Sequence, residues 1–251
     1  MSKNPKDQLI VALDVETFEE ARELAALLAP SVDIFKIGSQ LFTACGPVVV
    51  RYLMAMGKKV FLDLKFHDIP NTVANAVNAA VSIHSDVLGD NQNPSGKTNQ
   101  GLLMYTVHTM GGKAMLEAAA NAGLKQAKAL GIKKPLALGI TVLTSEEKND
   151  NIPALVLERA LLARESGLDG VVASSQEAKS IRQKLGKDFI IVTPGIRPKE
   201  SDTHDQQRIA TPFEAIKNGS DYLVVGRPIV KAPQPQEVVQ KILEEIKQAQ
   251  V

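Results

Sequence analysis

The chain is 251 residues long, 44% hydrophobic and nearly neutral, with a formal net charge of +1. That length supports one large core or two small ones. The balanced charge, with aromatics at 4% and no Trp, excludes a basic nucleic-acid surface and the stacking platforms that hold single strands. One cysteine, Cys45, excludes an internal disulfide and fits a reducing compartment. The polar first eight residues lack the apolar stretch of a signal peptide. No run of about 18 apolar residues is present to span a membrane, so the expected setting is cytoplasmic.

Short apolar, β-branched runs alternate with longer amphipathic ones. The first strand is expected over 9–15. A helix follows, with Phe18, Ala21, Leu24, Ala25 and Leu28 close to the 3.6 period. Further strands are expected over 34–38, 60–66, 102–108, 136–142, 170–173, 189–193 and 222–226. Between and after them fall helices over 40–56, from Pro70, and over 113–130, 153–166, 176–185, 212–218 and 235–248. Eight β-then-α units in a chain of about 250 residues predict an α/β fold, a (β/α)8 barrel filling 1–251 as one domain. Near-continuous apolar strands imply a parallel sheet covered on both faces. A doubly wound open sheet is the alternative.

Two segments stand apart. The polar stretch 86–101, DVLGDNQNPSGKTNQG, falls between the third helix and the fourth strand. That is the bottom of a barrel, and it reads as a tolerated insertion away from the chemistry. The stretch 197–211 follows the seventh strand on the opposite face and is a candidate lid.

Barrel active sites are built at the carboxyl ends of the strands. Asp14 ends the first strand and Lys36 lies late in the second. The third runs Phe61-Leu62-Asp63-Leu64-Lys65-Phe66-His67-Asp68. By period-2 alternation Asp63 and Lys65 share a side, opposite Leu62, Leu64 and Phe66. With the apolar set toward the helices, the two charges point to the barrel axis. A single Asp at a strand end is often a helix cap, and a single Lys often lies along an edge. Four inward charges on three consecutive strands are different, because each is costly unless compensated. Two acids with two lysines form a preorganised electrostatic site. Asp68 lies beyond the apolar run, where alternation no longer places it. The seventh strand ends in Thr193-Pro194-Gly195-Ile196-Arg197 and the eighth in Val225-Gly226-Arg227. Loops at those two positions often hold phosphate, with glycine admitting the anion and arginine gripping it.

These residues resemble the orotidine 5'-phosphate decarboxylase family, bacterial type, over nearly the whole chain. The resemblance rests on Leu13-Asp14, Phe35-Lys36-Ile37-Gly38, the block from Asp63 through Asp68 to Thr72, and Val142-Leu143-Thr144-Ser145. It also rests on Thr193-Pro194-Gly195-Ile196-Arg197, Asp205-Gln206 and Val225-Gly226-Arg227. It implies decarboxylation of orotidine 5'-phosphate to uridine 5'-phosphate and CO2 in pyrimidine synthesis, with no metal and no organic cofactor. Lys65 is implied to protonate C6, and Asp63 to lie beside the departing carboxylate. Lys36 and Asp14 are implied to hold ribose hydroxyls and complete the charge network. Thr144 is implied to contact the pyrimidine, and Arg197, Gln206, Gly226 and Arg227 to bind phosphate, with Gln206 on the lid. Asp68, Ile69 and Thr72 are implied to serve the neighbouring subunit's site, so a homodimer with shared sites is expected. The departures are the long 86–101 stretch and Thr109-Met110 before Gly111-Gly112. His67 reads as structural, and His84 and His108 as packing or surface residues. Two rivals remain: a related barrel acting on a sugar phosphate through a metal-stabilised enediolate, and a barrel that binds a nucleotide phosphate without catalysis.

Overall fold

The first helix begins where a capping box dictates. The Thr17 side chain accepts from the Glu20 N–H, and the Glu20 carboxylate accepts from the Thr17 N–H. In this computed structural model residues 4–83, 102–143, 151–199 and 209–250 are described. The elements run β1 (Leu9–Ala12), α1 (Phe18–Leu28), β2 (Ile34–Gly38), α2 (Ser39–Cys45), α3 (Val48–Ala55), β3 (Lys59–Phe66) and α4 (Pro70–Ser82). They continue with β4 (Leu102–His108), α5 (Gly112–Ala129), β5 (Leu136–Ile140), α6 (Ile152–Glu165), β6 (Gly170–Val172) and α7 (Ser175–Leu185). The last are β7 (Ile190–Thr193), α8 (Pro212–Lys217), β8 (Tyr222–Val225), α9 (Arg227–Val230) and α10 (Pro235–Ala249).

The strands pair in parallel in chain order, and β8 returns to β1 through Leu9–Leu223, Ile10–Val224 and Val11–Val225. That closure makes the fold a (β/α)8 barrel and removes the open-sheet alternative. Three expectations needed correction. The expected helix over 40–56 is two helices, because Gly46 takes φ +62° and Pro47 follows with no N–H to donate. The first and fifth strands end at Ala12 and Ile140, short of 15 and 142. Leu13 and Thr141 still donate to the Lys36 and Val172 carbonyls, and the residues beyond turn out to form the rim. The one-turn helix α9 had no expected counterpart. The 86–101 stretch lies outside the described residues.

Strand parity sorts the core into two layers. Leu9, Val11, Phe35, Ile37, Val60, Leu62, Tyr105 and Val107 pack outward against the helices. Ile10, Ile34, Phe61, Met104, Leu138, Val192 and Val224 fill the barrel axis. Continuing the inward parity toward the carboxyl ends brings Asp14, Lys36, Asp63 and Thr106 above this apolar floor.

At the opposite end, Arg182 of α7 staples β7 to β8. Its guanidinium donates to the Gly186, Phe189 and Gly219 carbonyls and pairs with Asp221, which also accepts from the Ile191 N–H. Removing one partner of so shielded a pair is costly because the other charge stays behind. Arg182→Ala is expected to lower unfolding stability by about 3 kcal/mol, with kcat per folded molecule unchanged. Denaturant melts beside turnover assays check both halves.

Candidate active site

The charged residues on β1, β2 and β3 form one alternating chain. Lys36 Nζ lies 3.0 Å from Asp14 Oδ1 and 3.8 Å from Asp63 Oδ2. Lys65 Nζ lies 2.8 Å from the same Asp63 Oδ2. Lys36 and Asp63 are buried, with side chains 11% exposed, whereas Lys65 is 37% exposed and reaches open space. A buried carboxylate is expensive unless charge and hydrogen bonds meet it on every side. Asp63 has two ammonium groups at Oδ2 and the Thr106 hydroxyl donating to Oδ1 at 3.0 Å. The four charges sum to zero, so the network holds two cations in place without a net field that would unfold it.

Asp63 points inward by the alternation expected for β3. Lys65 arrives there differently. Opposite β4, Leu62 pairs with Tyr105 and Phe66 with Val107, so four steps on β3 face two on β4. The slack is taken up as a bulge, and bulges re-aim side chains. Lys65 carries it at φ +52°, the one non-glycine residue in the left-handed region among those described. That conformation is costly for a residue with a Cβ and tends to occur where function needs it. Leu64 and Phe66 still pack toward the helices, as expected.

Around the chain lies a cavity of about 230 Å³. Its floor includes Phe61, Val172 and Val224, and its polar wall is Asp14, Lys36, Asp63 and Lys65. Its far rim is Pro194, Gly195, Arg197, Gly226 and Arg227, from the ends of β7 and β8. Arg197 is 5% exposed, and its Nη1 donates to the Ile196 carbonyl. Backbone bonds from Arg197 N–H to the Ala210 carbonyl and from Ala210 N–H to the Gly195 carbonyl close the base of the segment after β7. A Cβ on Gly226 would stand 3.1 Å from Asp14 Oδ2, so glycine lets the end of β8 stand close to that carboxylate.

Of the expected site residues, Asp14, Lys36, Asp63, Lys65, Arg197, Gly226 and Arg227 line this one cavity. Asp68, Ile69 and Thr72 do not; all three are exposed, and Asp68 Oδ1 accepts from its neighbour's N–H at 2.6 Å. Thr144 and Gln206 lie outside the described residues. His67 stacks on His108 with ring centres 5.5 Å apart, outside the cavity. Sequence reasoning missed Thr106. The available signal was a polar residue at an inward position of an otherwise apolar strand.

A closed parallel barrel with an ion network and a basic rim at the carboxyl ends of its strands defines a (β/α)8 enzyme with a charged small-molecule pocket. A model of the orotidine 5'-phosphate decarboxylase / HUMPS family matches residues 7–242. The chain belongs to that family. A relative from Moorella thermoacetica is 45% identical over 250 residues, covering 96% of this chain and 92% of its own. One from Legionella pneumophila (strain Corby) is 44% identical over 247 residues, covering 95% and 99%. Both are named orotidine 5'-phosphate decarboxylase. The solved orotidine 5'-phosphate decarboxylase of Lactobacillus acidophilus superposes with a TM-score of 0.74 at 34% identity, covering 95% of this chain and 98% of that one. An uncharacterized conserved protein from Geobacillus kaustophilus superposes at 0.75 with 31% identity, covering 94% and 99%.

Proposed function

We propose that this enzyme decarboxylates orotidine 5'-phosphate to uridine 5'-phosphate and CO2, completing the pyrimidine nucleotide in de novo synthesis. The observation that carries the reading is the Lys65 ammonium, held 2.8 Å from the Asp63 carboxylate at the wall of the cavity. Breaking the C6–carboxylate bond leaves an electron pair at a ring carbon with no adjacent sink. A fixed ammonium beside C6 stabilises that charge as it develops and then supplies the proton for the new C6–H bond. Asp63 faces the substrate carboxylate, so their repulsion is relieved as CO2 leaves. Lys36 and Asp14 hold ribose hydroxyls while Lys36 helps hold the Asp63 carboxylate in place.

The basic rim takes the phosphate, through Arg197, Gly226 and Arg227, joined by Gln206; Thr144 contacts the base. Binding energy gathered at the phosphate is then available at C6. Arg227→Ala is expected to raise KM and lower kcat/KM about a hundredfold, the loss of a bidentate charge-assisted grip. An unchanged kcat/KM would refute the phosphate assignment.

The active unit is a homodimer in the cytoplasm, with Asp68, Ile69 and Thr72 completing the partner's site. Ile69 is 66% exposed, an apolar side chain that a partner surface would cover. No metal or organic cofactor takes part. A metal-stabilised enediolate would need a divalent ion at the carboxylates, where Asp63 already has two ammonium groups within 3.8 Å. Following the fall in absorbance when purified protein meets orotidine 5'-phosphate, with and without a chelator, tests the reading. Turnover that survives the chelator supports it. No turnover, or turnover abolished by the chelator, overturns it.

A further inference from the structure

We infer that Thr106, in the middle of β4, is the positioning residue that gives Lys65 and Asp63 their working geometry. This inference rests on the decarboxylase reading above. Thr106 is fully buried, and its hydroxyl has two partners, both from the catalytic strand. Oγ1 donates to Asp63 Oδ1 at 3.0 Å and accepts from the Lys65 backbone N–H at 2.9 Å. One oxygen therefore joins the side chain of the carboxylate to the main chain of the ammonium.

The location explains why a side chain is needed there. Thr106 stands opposite the bulge, between the Leu62–Tyr105 and Phe66–Val107 pairs, where the β3–β4 ladder is interrupted. An interrupted ladder leaves the Lys65 N–H without its regular strand partner, and a buried N–H must be satisfied somewhere. The hydroxyl satisfies it and so stabilises Lys65 at φ +52°. With Oδ1 tied to Thr106, the other oxygen, Oδ2, is the one that faces Lys36 and Lys65 at 3.8 and 2.8 Å. Thr106 is fully buried and is not among the residues lining the cavity at the charge network, so it acts through these two residues and not on substrate.

Misaiming a preorganised group by even a fraction of an ångström is felt in the transition state more than in the ground state. Thr106→Val keeps the shape and removes the hydroxyl. Its kcat on orotidine 5'-phosphate is expected to fall about a hundredfold, with KM and the dissociation constant of uridine 5'-phosphate each within about threefold of wild type. Thr106→Ser restores the hydroxyl and is expected to recover kcat to within about fivefold. Thr106→Ala beside Thr106→Ser gives a second comparison, with the methyl absent from both, and stands in if the valine chain does not fold. A hydroxyl-free variant whose kcat matches that of Thr106→Ser overturns the inference, as does a loss confined to KM. Wild-type protein inactive on orotidine 5'-phosphate would instead remove the decarboxylase reading itself.

Discussion

Lys65→Ala is expected to lower kcat by about ten-thousandfold or more while leaving the barrel folded and uridine 5'-phosphate still bound. The magnitude combines two losses. A positioned proton donor contributes about a hundred- to ten-thousandfold, and a fixed cation at a developing anion adds a comparable electrostatic share. Folding is spared because Lys65 is an end of the ion network, with its side chain 37% exposed, and not one of its two buried members. Asp63 keeps Lys36 and the Thr106 hydroxyl, so its charge is not stranded. The basic rim lies on β7 and β8, across the cavity, so nucleotide binding is retained. Parallel measurements of turnover, thermal melting and product binding separate these parts. Activity within tenfold of wild type would remove Lys65 as the proton donor.

The second large effect concerns Asp68. On the proposed dimer, Asp68→Ala and Lys65→Ala are each nearly inactive alone, and for different sites. In a mixed dimer, one cavity contains Lys65 from the Asp68→Ala chain and Asp68 from the Lys65→Ala chain. Random reassortment of equal amounts makes half the dimers mixed, with one good site each, so about a quarter of wild-type activity returns. The exposed position of Asp68, away from the cavity of its own chain, motivates the test. Unrestored activity in a confirmed mixed dimer contradicts the shared site.

Much of this arrangement was legible in the residues. The strands with Lys36 and His108 fall where apolar, β-branched runs place them, because buried parallel strands have little freedom of composition. Inward parity put Asp63 on the axis, and that holds. Lys65 reached the same cavity by a bulge that alternation does not contain; its backbone conformation is set by a tertiary contact with β4. Thr106 went unremarked because threonine is at home in strands, and one hydroxyl carries less signal than a charge. The break at Gly46-Pro47 was overlooked because the apolar spacing on either side continues in phase. Asp68 lies past the end of the strand, and only the family resemblance suggested a role for it.

The central claim is that this cavity removes CO2 from orotidine 5'-phosphate with Lys65 as the acid. Its most direct measurement is the quantity of CO2 and uridine 5'-phosphate released from orotidine 5'-phosphate by the wild-type chain and by Lys65→Ala, each confirmed folded. The account predicts equal amounts of the two products from wild type and neither above background from the variant. Substrate left intact by the wild-type protein, or both products formed at similar rates by the two proteins, would contradict it.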